Sequence, residues 1–172
     1  MGQQQLLLLV LGIVIVGLGV VVGIESFQEN ARKSSIDRLT GQAVGYAGKM
    51  IEWKLKPSAQ GGGQEAVNMT GLTVDYFGLE DDQSVSYLGG SADAGWAAVG
   101  GFNMKLYHMN GSGMAPHVVM HDPQKDILVS IFVFGTKPEC FVHRISTLDS
   151  QGQRVDTPVF NPSNPDATNC SL

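Results

Sequence analysis

Four histidines, His108, His117, His121 and His143, raise the question of metal binding, since neutral imidazole is the commonest protein metal ligand. If His117 and His121 lie on one strand they share a face, yet they then stand about 13 Å apart, too far to hold one ion. Packing in the core or exposure at the surface is the expected role of all four. Glu80-Asp81-Asp82 sets three carboxylates side by side, whereas a calcium loop of the EF-hand kind spaces its ligands along the chain. An exposed acidic turn is expected there. Ser146 and Ser150 lack the Gly-x-Ser-x-Gly turn that presents a nucleophile, and no glycine-rich loop between strand and helix is available to cradle phosphate. Phe27, Tyr46 and Trp53 are too sparse for an aromatic conduction path. The chain therefore reads as a non-enzyme without catalytic, cofactor or metal residues. Asn68-Met69-Thr70, Asn110-Gly111-Ser112 and Asn169-Cys170-Ser171 fit the N-glycosylation acceptor pattern and make Asn68, Asn110 and Asn169 candidate modification positions.

The elements that carry these residues are uneven. The 172 residues suit one domain plus an appendage. Eleven basic against sixteen acidic residues give a net charge of -5, which excludes nucleic acid as a partner because phosphate binding needs a concentrated basic face. A mean hydropathy of +0.04 conceals residues 6–24, which are only Leu, Val, Ile and Gly. These 19 residues span about 28 Å as a helix and match the bilayer core. A cleaved secretory signal would carry a basic start and a small-residue exit. Here Met1-Gly2-Gln3-Gln4-Gln5 is uncharged and the run ends Val22-Gly23-Ile24-Glu25. Myristoylation at Gly2 would favour Ser or Thr where Leu6 stands. A single-pass anchor meets the hydropathy.

Residues 25–56 contain no proline, and Phe27, Ala31, Ile36, Leu39, Ala43, Ala47, Met50 and Ile51 recur at helical spacing. Arg32, Lys33, Arg38 and Lys49 are available to the opposite side. Gly41, Gly45 and Gly48 each cost about 1 kcal/mol of helix propensity, so this half requires packing. Pro57 ends the helix, and residues 58–63 read as a flexible joint. One helix over residues 3–56, about 80 Å long, is expected, apolar all round over 3–24 and amphipathic over 25–56. Outside lipid the apolar half needs cover, and identical neighbours can supply it. Gly12, Gly17, Gly19 and Gly23 either permit close helix approach, Gly19-x-x-x-Gly23 being a GxxxG, or weaken the helix; a continuous helix is expected.

With Gly2 ahead of the apolar run, a long N-terminal helix, and a β-rich region carrying two late cysteines, the chain resembles the type IV pilins and pilin-like proteins. The likeness is architectural over the whole chain and sequence-specific over residues 1–56. It implies that residues 1–2 are a leader cut by a prepilin peptidase between Gly2 and Gln3. It further implies a homopolymeric extracellular filament, built by pilus assembly machinery from a precursor held in the cytoplasmic membrane, and used for cell adhesion. The filament core would hold Leu6, Leu7, Leu9, Val10, Ile13 and Val14. Val16, Gly17, Val20, Val21 and Ile24 would continue it. Bacterial members carry Glu at the fifth mature position, where this chain has Leu7; archaeal relatives also lack it, and Gln3, Gln4 and Gln5 offer hydrogen bonds in its place. The runner-up is a membrane-anchored extracytoplasmic binding domain that does not polymerise.

The implied fold is α+β, the helix packing on a C-terminal antiparallel sheet. A Gly-rich linker over residues 57–71 leads to a β-rich head over 72–172. Strands are expected at 72–77, 84–88, 102–109, 117–121, 127–134 and 140–145, from runs of Val, Ile, Phe and Tyr broken by Gly, Asn, Asp and Pro. Asn110-Gly111-Ser112-Gly113 and Asp122-Pro123-Gln124-Lys125 suit hairpin connections. The nearly unbroken apolar run 127–134 belongs centrally in the sheet. The tail beyond Leu148, with Pro158, Pro162 and Pro165, is expected to be irregular. Cys140 and Cys170 are the only cysteines, and in an exported head they suggest a disulfide pinning that tail, two buried thiols being the alternative. Charge is divided: residues 1–56 carry six basic and four acidic groups, leaving five basic and twelve acidic in the remainder. An acidic outer surface and salt-sensitive subunit contacts follow.

Overall fold

The computed structural model describes residues 2–64, 69, 71–81, 96–107, 115–135, 140–148 and 154–157. One helix, α1 (Gly2–Leu55), precedes a six-stranded antiparallel sheet, so the fold is α+β. The chain divides into two compact units, residues 1–35 and 36–172. The first is helix alone. Its 54-residue parent element runs without proline to the point where Pro57 bars helical geometry at Lys56. The amide of Lys56 still donates to Glu52 O at 3.0 Å, closing the last turn.

In the second unit the strands are β1 (Trp96–Val99), β2 (Phe102–Tyr107), β3 (His117–Asp122), β4 (Ile127–Val133), β5 (Phe141–Leu148) and β6 (Arg154–Thr157). Their spatial order is the chain order, each strand pairing antiparallel with the next. The apolar run thus lies inside the sheet over residues 127–133 as β4, fully buried between β3 and β5, while Phe134 follows the strand and is half-buried. Residues 39, 43, 47, 50 and 51 of α1 pack on one sheet face against Met104, Leu106, Val118, Met120, Val129 and Ile131. Spacings of three and four bring one stripe of the helix inward while alternate strand residues meet it. The stripe is shorter than its sequence pattern: Phe27 is 78% exposed and Ala31 is exposed as well, both preceding the unit that contains the sheet.

Several connections differ from expectation. Residues 72–77 form no strand; Val74–Phe77 is a 3-10 turn closed by Gly78 at φ 74°. Leu72, Val74 and Phe77 are buried while Tyr76 is only half-buried, and strand alternation would have turned Phe77 outward. The segment 84–88 and the Asn110–Gly113 connection lie outside the described residues. The β1–β2 hairpin turns on Gly100 and Gly101, at φ 57° and 86°, where side chains are disfavoured. The β3–β4 turn falls at the expected place, Asp122 Oδ1 accepting from the amides of Gln124 (2.9 Å) and Lys125 (3.3 Å). Strand β5 runs on to Leu148, and β6 occupies part of the tail expected to be irregular, its four residues pairing with the end of β5.

The Gly-rich stretch after α1 folds back on the helix. Ser58–Gln60 is a 3-10 turn capped by Gly61 in the left-handed region. The amide of Gly63 donates to Trp53 O at 2.9 Å, and a Cβ on Gly63 would collide with the Trp53 ring. The glycine there serves close approach rather than freedom.

Candidate functional site

The exposed apolar part of α1 is the candidate surface. All fifteen Leu, Val and Ile side chains from Leu6 to Ile24 are between 50% and 69% exposed. Exposure is alike around the helix over residues 6–24. A bare helix of this composition arises because every residue from 6 to 24 is apolar and none is Pro. Burying fifteen such half-exposed side chains is worth on the order of 15–20 kcal/mol, more than a typical domain's net stability. Such a surface demands lipid, detergent or protein. By length and composition α1 is able to cross a membrane.

Within this surface stand all the expected core positions, Leu6, Leu7, Leu9, Val10, Ile13, Val14, Val16, Gly17, Val20, Val21 and Ile24, each on α1 and exposed. Gly2 and Gln3 are the first described residues of α1 and are likewise exposed. Just beyond the apolar run, Glu29 pairs at 3.7 Å with both Arg32 and Lys33. These are exposed pairs one helical turn apart and add little stability.

The remaining candidates lie in the second unit. Cys140 is buried, 1% exposed, at the entry to β5 and is disulfide-bonded. Its expected partner Cys170 is outside the described residues, as are Asn68, Asn110, Asn169, His108 and Asp82. His117 and His121 sit on β3, both buried, while His143 on β5 is exposed. His121 Nε2 lies 3.2 Å from Asp126 Oδ1. Among the described residues no three His, Cys, Asp or Glu converge as metal ligands. Glu80 and Asp81 are exposed.

The sheet face turned away from α1 holds chemistry that the sequence did not disclose. Lys105 on β2 is 2% exposed, its Nζ 4.4 Å from the centre of the Tyr107 ring. His117 stacks between Tyr107 (4.4 Å) and Phe132 (4.5 Å), and its Nδ1–H donates to Ala115 O at 2.9 Å. Burial holds the His117 pKa down at about 4; the Arg144 and Lys105 charges add to the depression, and the Ala115 bond opposes it. Arg144 lies 3.4 Å from Asp156, which also accepts a hydrogen bond from Ser146 Oγ. On α1, Arg38 reaches the β1–β2 turn, donating to Gly100 O at 3.2 Å with its guanidinium 4.7 Å over the Phe102 ring. Burial raises the Tyr46 pKa, and its ring meets Phe77 edge to face at 5.4 Å. Only the pairing register reveals these neighbours: Tyr107, His117 and Phe132 are direct cross-strand partners.

Compared with protein-family models, curated proteins and solved structures, the chain matches none.

Proposed function

We propose that this chain is the structural subunit of an extracellular pilus-like filament, polymerising through residues 6–24. The observation that carries the reading is the apolar helix surface, at least half exposed at every large side chain from Leu6 to Ile24. In the precursor that surface lies in the cytoplasmic membrane; in the polymer, identical copies cover it. Cleavage after Gly2 by a prepilin peptidase releases the subunit to the assembly machinery. An uninterrupted α1 ties the apolar segment directly to the sheet-bearing unit, which suits a subunit whose polymer contacts must carry its head. The stripe from Leu39 to Ile51 does not add to this case, because the subunit's own sheet uses it.

A membrane-anchored binding domain that never polymerises is the second reading, favoured by the fit of residues 6–24 to a single bilayer span. Sheared surface material decides between them. A polymer whose subunits begin at Gln3 supports the filament. A monomer that keeps Met1 and stays in the membrane fraction overturns it.

A further inference from the structure

Beyond any role in assembly, the second sheet face contains a group placed to respond to acid. His117 is 6% exposed and lies between two aromatic rings, Tyr107 on β2 and Phe132 on β4. Its Nδ1–H is already committed to Ala115 O, so an added proton must enter at Nε2. Among the described residues the charges that act on it are Lys105 from β2 and Arg144 from β5, the latter 3.4 Å from the Asp156 carboxylate of β6. From β4 the pairing register brings Ser130 and Phe132 to this face, neither of which titrates. On β3 itself the next histidine of the same face, His121, sits beside Asp126. An imidazolium at residue 117 would place a further positive charge near Lys105 and Arg144 in a site removed from water. Stacking on two rings returns only part of what is lost to desolvation and like-charge repulsion.

We propose that His117 makes the head acid-sensitive: taking up a proton breaks the Tyr107–His117–Phe132 stack and loosens β2, β3 and β4. At neutral pH the ring is uncharged and the stack is intact. The unfolded chain binds the proton near the ordinary value of 6.5, whereas the folded site resists it down to about 4. Stability is therefore fully present above pH 6.5 and lost as pH falls from 6.5 toward 4.

The test uses full-length protein in detergent micelles. Imidazole NMR should place the His117 titration well below 6.5. In urea unfolding at pH 7 and pH 4, the wild-type folded-to-unfolded ratio should fall on the order of a hundredfold more than that of His117→Phe. Lys105→Met, which removes one of the two cations, should reduce the acid loss in the same direction. A His117 midpoint at or above 6.5 overturns the proposal, even where His117→Phe does not fold. So does an identical acid loss in wild type and variants.

Discussion

Gly63 has no room for a side chain, because its Cα lies against the Trp53 ring and its amide bonds back to Trp53 O. Gly63→Ala should destabilise the head by about 1–3 kcal/mol, as overpacking does. Urea unfolding checks this. The same change made on Trp53→Phe, which removes the ring atoms in the way, should lose less, giving a coupling of at least about 0.5 kcal/mol. Arg38→Ala should act locally, releasing the β1–β2 turn for about 1 kcal/mol. Hydrogen exchange would show faster amides around Gly101 and Phe102 while β4 stays protected. Neither contact was legible in the sequence. Residues 58–63 looked like a joint because glycine is read as freedom, and the ring that requires the glycine sits ten residues upstream. Arg38 is 62 positions from its acceptor, Gly100. Local pattern carries no information over that distance.

At the scale of elements, visibility followed apolar content. Strand β4 could be found from Ile127, Leu128, Val129, Ile131, Phe132 and Val133 alone, and Asp122-Pro123 marked where it turns from β3. Strand β1 is Trp-Ala-Ala-Val and β6 is Arg-Val-Asp-Thr, each four residues at an edge, with little propensity to announce them. What fixes β6 is its neighbour: Asp156 answers Ser146 and Arg144 across the strand pair. Asp156→Ala should fray β6 and the end of β5, since it leaves Arg144 without this carboxylate, at about 1–2 kcal/mol. Amide exchange at Val155 measures it. For α1 the decisive substitution is Val16→Asp or Val20→Asp. Each sets a carboxylate in the midst of the apolar surface, whose burial in lipid or protein costs several kcal/mol. Surface filaments should be lost while the head keeps its wild-type circular dichroism and unfolding midpoint. Intact filaments in both variants would remove residues 6–24 from the polymer core.

Across the whole molecule, the charge is segregated: the chain after residue 56 holds twelve of the sixteen acidic groups. If the heads pack as neighbours, raising salt should tighten their association by screening the repulsion between like heads, and lowering it should loosen filaments. Light scattering of sheared material across a salt series reports the sign. The bridged Cys140 is a second property of the whole chain, since its expected partner is the only other cysteine, Cys170. Cys170→Ser should lower head stability by roughly 3–4 kcal/mol on the loop-closure estimate. A reduced-versus-oxidised comparison of the wild type should reproduce that loss.

The chain order of the sheet also sets a timetable for a polypeptide made from its amino end. Leu39, Ala43 and Met50 are synthesised before any of the strands that shelter them, and β4 begins at residue 127, 72 positions after α1 ends at Leu55. During that interval their oily side is bare beside an already bare amino-terminal half. A nascent chain in this condition has two bare apolar stretches on α1, residues 6–24 and the stripe from Leu39 to Ile51, so lodging residues 6–24 in a bilayer early would leave only the shorter inner stripe in need of a chaperone until the fourth strand arrives.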